Sequence, residues 1–286
     1  MIVDLDLRCA VCGSSSGHES RLDGMLRRCG GCTFAWTAAP SPPPEELYDE
    51  TYFRGEGYED YFQPADRRRE SRLRLRWLLR AGRPDSLVEA GSAGGYFVEA
   101  ARRAGIAAEG VEVSATAARF ARDQLGVPVR ADSFEQARFS LPFQAVCGFH
   151  VLEHVEEPHE FIRAARRALV PGGCLALEVP NLAGAAAHRL GPLWPHLEPR
   201  YHRWHFTPTS LRRLVASHGF EVVRLDTVFS RFYWRRSARL RNARDLLVAD
   251  WWASGRPTLR HPTLGDAIRL IARRPESWRR NVWPSA

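Results

Sequence analysis

Leu87-Val-Glu-Ala-Gly-Ser-Ala-Gly-Gly-Tyr-Phe97 reads as an apolar strand that ends beside an acid and breaks into glycines. Gly91, Gly94 and Gly95 suit a backbone brought close to a ligand, because glycine has no Cβ and tolerates positive φ. A dinucleotide loop would run G-x-G-x-x-G. Counted from Gly91, the third position is Ala93 and the sixth is Tyr96, so the pattern fails twice. A phosphate-binding loop would need Gly-Lys-Ser/Thr, and the chain contains no lysine. Whatever binds here is expected to be held by something other than its phosphates.

Around this loop, short apolar runs alternate with helical stretches. Residues 86–90, 108–113, 127–131, 143–149 and 174–179 read as strands, and 94–104, 114–125 and 158–170 as helices. Pro158 opens the last of these helices and Pro171-Gly172-Gly173 closes it. This alternation predicts an α/β fold, a doubly wound and mostly parallel sheet that binds its ligand at the carboxyl ends of the strands. Residues 65–80 read as a preceding helix with Leu73, Trp77 and Leu78 on its buried face. Thr207 and Pro208 open a later helix over 207–218, and 220–229 reads as one more strand.

The front of the chain carries a separate signal. Cys9-x₂-Cys12 and Cys29-x₂-Cys32 lie 16 residues apart, a spacing at which four thiolates can close a tetrahedral structural Zn²⁺ site. No secretory signal opens the chain to favour disulfides instead. Residues 1–44 carry four arginines against four acids, so this ribbon lacks the excess positive charge that nucleic-acid binding needs. Cys147 and Cys174 lie in apolar runs and read as core thiols.

The chain has 286 residues, 44% of them apolar and 26% charged, as expected of a soluble globular protein. It holds no apolar run long enough to span a membrane, and the cytoplasm is the expected location. The net charge of +8 is local: residues 231–286 hold 13 arginines against four acids, a net of +9, so the rest sums to −1. Segments 235–252 and 264–274 of this tail read as helices. The tail's aromatics could pack back onto the core, lid a substrate pocket or form a dimer contact, and its arginines could hold a phosphorylated or carboxylated acceptor.

Four stretches together carry a resemblance. They are Glu89-Ala-Gly91-Ser92-Ala93-Gly-Gly95, GVEVS at 110–114, Ala131-Asp132-Ser133-Phe134, and FHVLEHVEEPHEFIRAARRALVPGGCLALEVPN at 149–181. In this order they resemble the small-molecule branch of the class I S-adenosylmethionine-dependent methyltransferases, with Ala93 in place of the middle loop glycine. The resemblance implies a Rossmann-like core and S-adenosylmethionine as cofactor. It implies a cofactor site made of Glu89, Gly91, Ser92, Gly95, Phe97, Glu112, Asp132, Ser133 and His150, with Glu112 accepting both ribose hydroxyls.

Histidines, which titrate near neutral pH, are the candidate bases. His154 lies one helical turn beyond His150, which would place both rings on one face. His202 and His205 belong to Tyr201-His-Arg-Trp-His-Phe206, similar to the family's H-x-x-H-F-[ST]-P segment. The choice among His154, His202 and His205 stays open at this level. The expected organisation is a zinc ribbon over 1–39, a linker and helical cap over 40–84, the methyltransferase core over 85–230 with a lid at 181–206, and a basic helical extension over 231–286. The expected acceptor is a small polar metabolite, of natural-product or sugar type. An RNA methyltransferase and a non-catalytic partner protein are the competing readings.

Overall fold

The structure, a computed structural model, describes residues 8–15, 18–22, 24–38, 64–229, 260–261 and 264–276. The cysteine segment contributes three short antiparallel strands, β1 (His18–Arg21), β2 (Leu26–Cys29) and β3 (Ala35–Thr37). Helix α1 (Pro64–Leu79) leads into the alternating part: β4 (Ser86–Ala90), α2 (Tyr96–Arg103), β5 (Ala107–Glu112), α3 (Ala115–Leu125), β6 (Val129–Ala131), β7 (Phe143–Phe149), α4 (Pro158–Ala168) and β8 (Leu169–Pro180). Then follow α5 (Ala185–Leu190), β9 (Trp204–His205), α6 (Pro208–Ser217), β10 (Glu221–Val228), β11 (Arg260–His261) and β12 (Ala267–Arg273).

Among the described residues, eight strands make the central sheet in the order β11-β10-β12-β8-β7-β4-β5-β6. β8, β7, β4, β5 and β6 run parallel, while β12, β10 and β11 extend that sheet antiparallel. Alternate residues of a strand face opposite sides, and the buried clusters sort accordingly. Leu87, Ala145, Cys147, Ala176 and Ile271 pack with Trp77, Phe97 and Ala118 from α1, α2 and α3. Val88, Val146, Leu175, Leu177 and Leu270 pack with Phe161 of α4 and Leu211 of α6. Cys9, Cys29, Cys32 and Phe34 join this second cluster, so the cysteine segment shares the core of the larger fold.

Local chemistry explains the helix boundaries. Ser114 caps α3 by accepting from Ala117 N, and Thr207 and Ser210 form a reciprocal capping box at α6, whose first residue is Pro208. Helix α4 stops at Ala168 rather than 170, because β8 already pairs with β7 at Leu169.

One expectation is corrected. Residues 264–274 do not form a helix of a tail extension; Ala267–Arg273 is a strand inserted between β10 and β8. AIRLIAR is buried on both faces, so it lacks the alternation that marks a half-exposed strand, and a short apolar run fits helix and strand equally. Arg269 stands directly opposite Glu178 on β8 and pairs with it. This arginine therefore serves the sheet. The expected helix at 235–252, the aromatic stretch 45–62 and the tail tryptophans lie outside the described residues. Among the described residues, no helix is long and apolar enough to cross a membrane.

Candidate functional site

β4 and β5 end side by side, and the glycine loop crosses their carboxyl ends. Gly91 has φ +62°, and a Cβ there would lie 2.3 Å from Val151 Cγ2, so the loop after β7 leaves no room for a side chain. Ala93 is left-handed as well, at φ 46°. That turn aims its N–H at Glu112 Oε2, 2.7 Å away, while Ser114 N donates to Glu112 Oε1 at 2.9 Å. Burial raises the Glu112 carboxyl above its ordinary range, and these N–H donors act against it. Each carboxylate oxygen keeps a further lone pair for another donor. Asp132 N donates to Glu112 O at 3.1 Å, and Ser133 Oγ accepts from Gln136 N at 3.3 Å, which places both residues at the rim formed by β6.

Two buried side-chain atoms of this loop have no hydrogen-bond partner among the described residues, Ser92 Oγ and Glu89 Oε2. Burial pushes the Glu89 carboxyl far up. An unsatisfied buried polar group costs about 1–3 kcal/mol, so the pair is suited to a polar ligand that supplies the missing partners. Phe97 has a different setting: its ring packs edge-on against Phe149, centroids 4.7 Å apart, inside the core.

The histidines gather where the loop after β7 meets the segment before α6. His150 and His154 do not sit on a helical turn: His150 has φ 57°, residues 152–154 form a turn, and the two rings take different partners. His150 reaches Glu153 Oε1 with Nδ1 at 3.1 Å and Glu178 Oε1 with Nε2 at 3.2 Å. Burial opposes its charge, but the two carboxylates prevail and raise the ring to about 9. Glu153, which burial alone would raise, is drawn down to about 2 by that same hydrogen bond. His150 is thus an imidazolium with both protons committed. Arg74 of α1 and Arg269 also pair with Glu178, completing a buried ionic group assembled from residues distant in the chain.

His154 and His202 pack edge to face, centroids 4.6 Å apart. His154 Nδ1 lies 3.0 Å from Tyr201 O, and His202 Nδ1 lies 2.8 Å from His196 O. A carbonyl only accepts, so both rings carry their proton on Nδ1 and a lone pair on Nε2 when neutral. His154 Nε2 is 4.0 Å from Glu153 Oε1, and Glu153, His154 and His202 each offer a ligand atom within 4.8 Å of the others. Burial and the neighbouring His202 lower His154 to about 3. The ring is therefore neutral at pH 7.

His205 is placed otherwise. Thr37 Oγ1 donates its single proton to His202 O at 2.6 Å and lies 3.0 Å from His205 Nε2. The hydroxyl can then only accept from His205, which puts a proton on Nε2. Burial, with His202 nearby, lowers His205 to about 3, so it stays neutral. A ring whose Nε2–H is already donated has no lone pair to offer there.

Cys9, Cys12, Cys29 and Cys32 form the second centre. All four are free thiols, with Cys9 Sγ 3.4 Å from Cys32 Sγ and Cys12 Sγ 3.6 Å from Cys29 Sγ. Every Sγ lies within 4.8 Å of the others. A tetrahedral ion with metal–sulfur bonds of about 2.3 Å would separate its ligands by about 3.8 Å, so the cluster is of the right size for one.

A family model described as a methyltransferase domain matches residues 62–225. A ubiquinone biosynthesis O-methyltransferase of Caulobacter sp. (strain K31) is 31% identical over 149 residues, 48% of this chain and 59% of that protein. The one from Caulobacter vibrioides is 30% identical over 172 residues, 54% of this chain and 67% of its own length. Among solved structures, a possible histamine N-methyltransferase from Thermotoga maritima superposes with a TM-score of 0.56 at 18% identity, over 78% of this chain and 97% of that one. An N-methyltransferase from Bradyrhizobium japonicum, in complex with S-adenosyl-L-homocysteine, gives 0.50 at 16% identity, over 78% and 94%. At such identities the structures speak for the fold alone.

Proposed function

The chain belongs to the methyltransferase-domain family, and from that premise we propose that it transfers a methyl group from S-adenosylmethionine to a small polar acceptor. The loop at the ends of β4 and β5 is the observation that carries this reading. Glu112 has lone pairs left for the two ribose hydroxyls, and the unpartnered Ser92 Oγ and Glu89 Oε2 suit the polar groups of the cofactor's amino-acid end. Gly91, tight under Val151, and Gly95, tight against Ala121 and Val127, give the loop its left-handed turns, and Asp132 and Ser133 flank the adenine side. S-adenosylmethionine supplies a sulfonium methyl that leaves its sulfur as the acceptor's lone pair attacks in line.

The acceptor side is the histidine cluster. His202, with its Nδ1 proton held by His196 O, accepts the acceptor's proton at Nε2; His154 has the same tautomer but, lowered to about 3, takes up a proton too weakly to come first. His150 and His205 have no lone pair at the contacts described and serve to hold neighbours in place. The curated relatives are named O-methyltransferases, which makes a hydroxyl the first acceptor group to try. Cys9, Cys12, Cys29 and Cys32 would hold a structural Zn²⁺ ion through their four thiolates.

The test is S-adenosylhomocysteine formation from S-adenosylmethionine with a panel of small polar hydroxyl and amine compounds. His202→Ala should lower turnover by about 10²–10⁴ while leaving S-adenosylmethionine affinity unchanged, and His154→Ala should cost less. If His154→Ala and His202→Ala both turn over like the wild type at saturating acceptor, neither ring is the base.

A further inference from the structure

The cysteine module reaches into the histidine segment. β3 pairs with β9, setting Ala35 opposite His205 and Trp36 opposite Trp204. Thr37 N donates to Arg203 O at 2.9 Å, and Thr33 Oγ1 lies 2.7 Å from Thr207 Oγ1, the cap of α6. Phe34, fully buried, stacks on Trp204 at 5.7 Å and tilts against Phe206 at 5.2 Å. From the other side, Glu153 O accepts from Arg203 N and Trp204 N, and Val155 O accepts from Trp204 Nε1. Residues 202–207 are therefore clamped between the module and the loop after β7.

We propose that Thr37 is a positioning residue for methyl transfer, and that metal loading of the four-cysteine cluster sets its position. Its hydroxyl ties the backbone at His202 to the ring of His205 in one contact pair. That fixes the segment so that His202 stands against His154 beside Glu153. The cluster governs β3 directly: Cys29 N donates to Phe34 O at 2.8 Å, Thr33 N donates to Cys29 O at 3.1 Å, and β3 begins three residues after Cys32. A module that loses its ion loses the tight turn from which β3 starts, and with it the hold on His202. The inference rests on the reading of the histidine cluster as the acceptor side.

The experiment records imidazole nitrogen NMR spectra of the full-length, histidine-labelled protein. Zinc-loaded wild type is compared with Thr37→Val, Thr37→Ser and chelator-treated wild type, each titrated with S-adenosylhomocysteine by calorimetry. Thr37→Val keeps shape and loses the hydroxyl; it should abolish the Nε2–H signature of His205 and shift the His202 ring. Its S-adenosylhomocysteine affinity should stay within about twofold, well under the 1.4 kcal/mol of a tenfold change. Thr37→Ser should restore the wild-type spectrum, and chelation should reproduce the Thr37→Val pattern at His202 and His205. Unchanged ring signals in Thr37→Val, or signals that survive chelation, would overturn the inference. Failure of every variant, wild type included, to bind S-adenosylhomocysteine would instead remove the methyltransferase reading and leave the ring result standing on its own.

Discussion

The N–H of Ala93 donates to Glu112 Oε2 at 2.7 Å, from a residue held at φ 46°. The left-handed region costs a residue with a Cβ roughly 1–2 kcal/mol, and the glycine expected at this position would avoid that cost. The carboxylate on which the cofactor reading depends is thus oriented by a strained residue.

Ala93→Gly should therefore stabilise the protein by about 0.5 kcal/mol, relief of strain exceeding the added chain entropy of glycine. Urea unfolding monitored by tryptophan fluorescence measures this. A loss of stability greater than about 1 kcal/mol would mean that the Ala93 methyl packs favourably, and that the turn is not strained at all.

Metal removal should loosen more than the front of the chain, because Cys9, Cys29, Cys32 and Phe34 belong to the cluster that packs against α4 and α6. Zinc analysis should give about one equivalent per chain, and chelation should lower Tm by at least about 5 °C. A zinc-free protein with cross-linked Cys9–Cys32 and Cys12–Cys29 would exclude the ribbon.

The same contact is sensitive to acid. His159 Nδ1 lies 2.7 Å from His218 Nε2, and His159 Nε2 donates to Ala10 O on the module. Burial lowers His218 to about 4, with His159, Arg163 and Arg166 adding to the effect and Glu160 opposing it. Between about pH 6.5 and pH 4 the unfolded chain takes up a proton at this residue that the folded one refuses, so stability falls as pH falls through that window. The half-exposed ring screens the effect. His218→Gln should flatten the Tm–pH curve over that range, and a curve parallel to the wild type would show that other groups dominate.

Much of this was legible from sequence where the determinants are local. The glycine loop, the Thr207 cap and the apolar strands β4, β5 and β7 follow from neighbours in the chain. β12 was not, since AIRLIAR is buried on both faces and carries an arginine whose partner, Glu178, is 91 residues away. His150 and His154 were wrongly placed on one helical face, because nothing in FHVLEH announces a left-handed residue. Glu153 was in plain view in that motif, but its role depends on His150 and on the segment at 201–204. Thr37 offered no signal: its partners are 165 and 168 residues away.

The central claim is that the loop over β4 and β5 binds an adenosyl cofactor through Glu112, and calorimetric titration tests it most directly. Purified protein is titrated with S-adenosylmethionine, S-adenosylhomocysteine and, as a control, NAD. Both adenosyl ligands should bind saturably and NAD should not, and Glu112→Ala should weaken binding at least about tenfold, or 1.4 kcal/mol. Absence of adenosyl binding, or affinity indifferent to Glu112, would contradict the account.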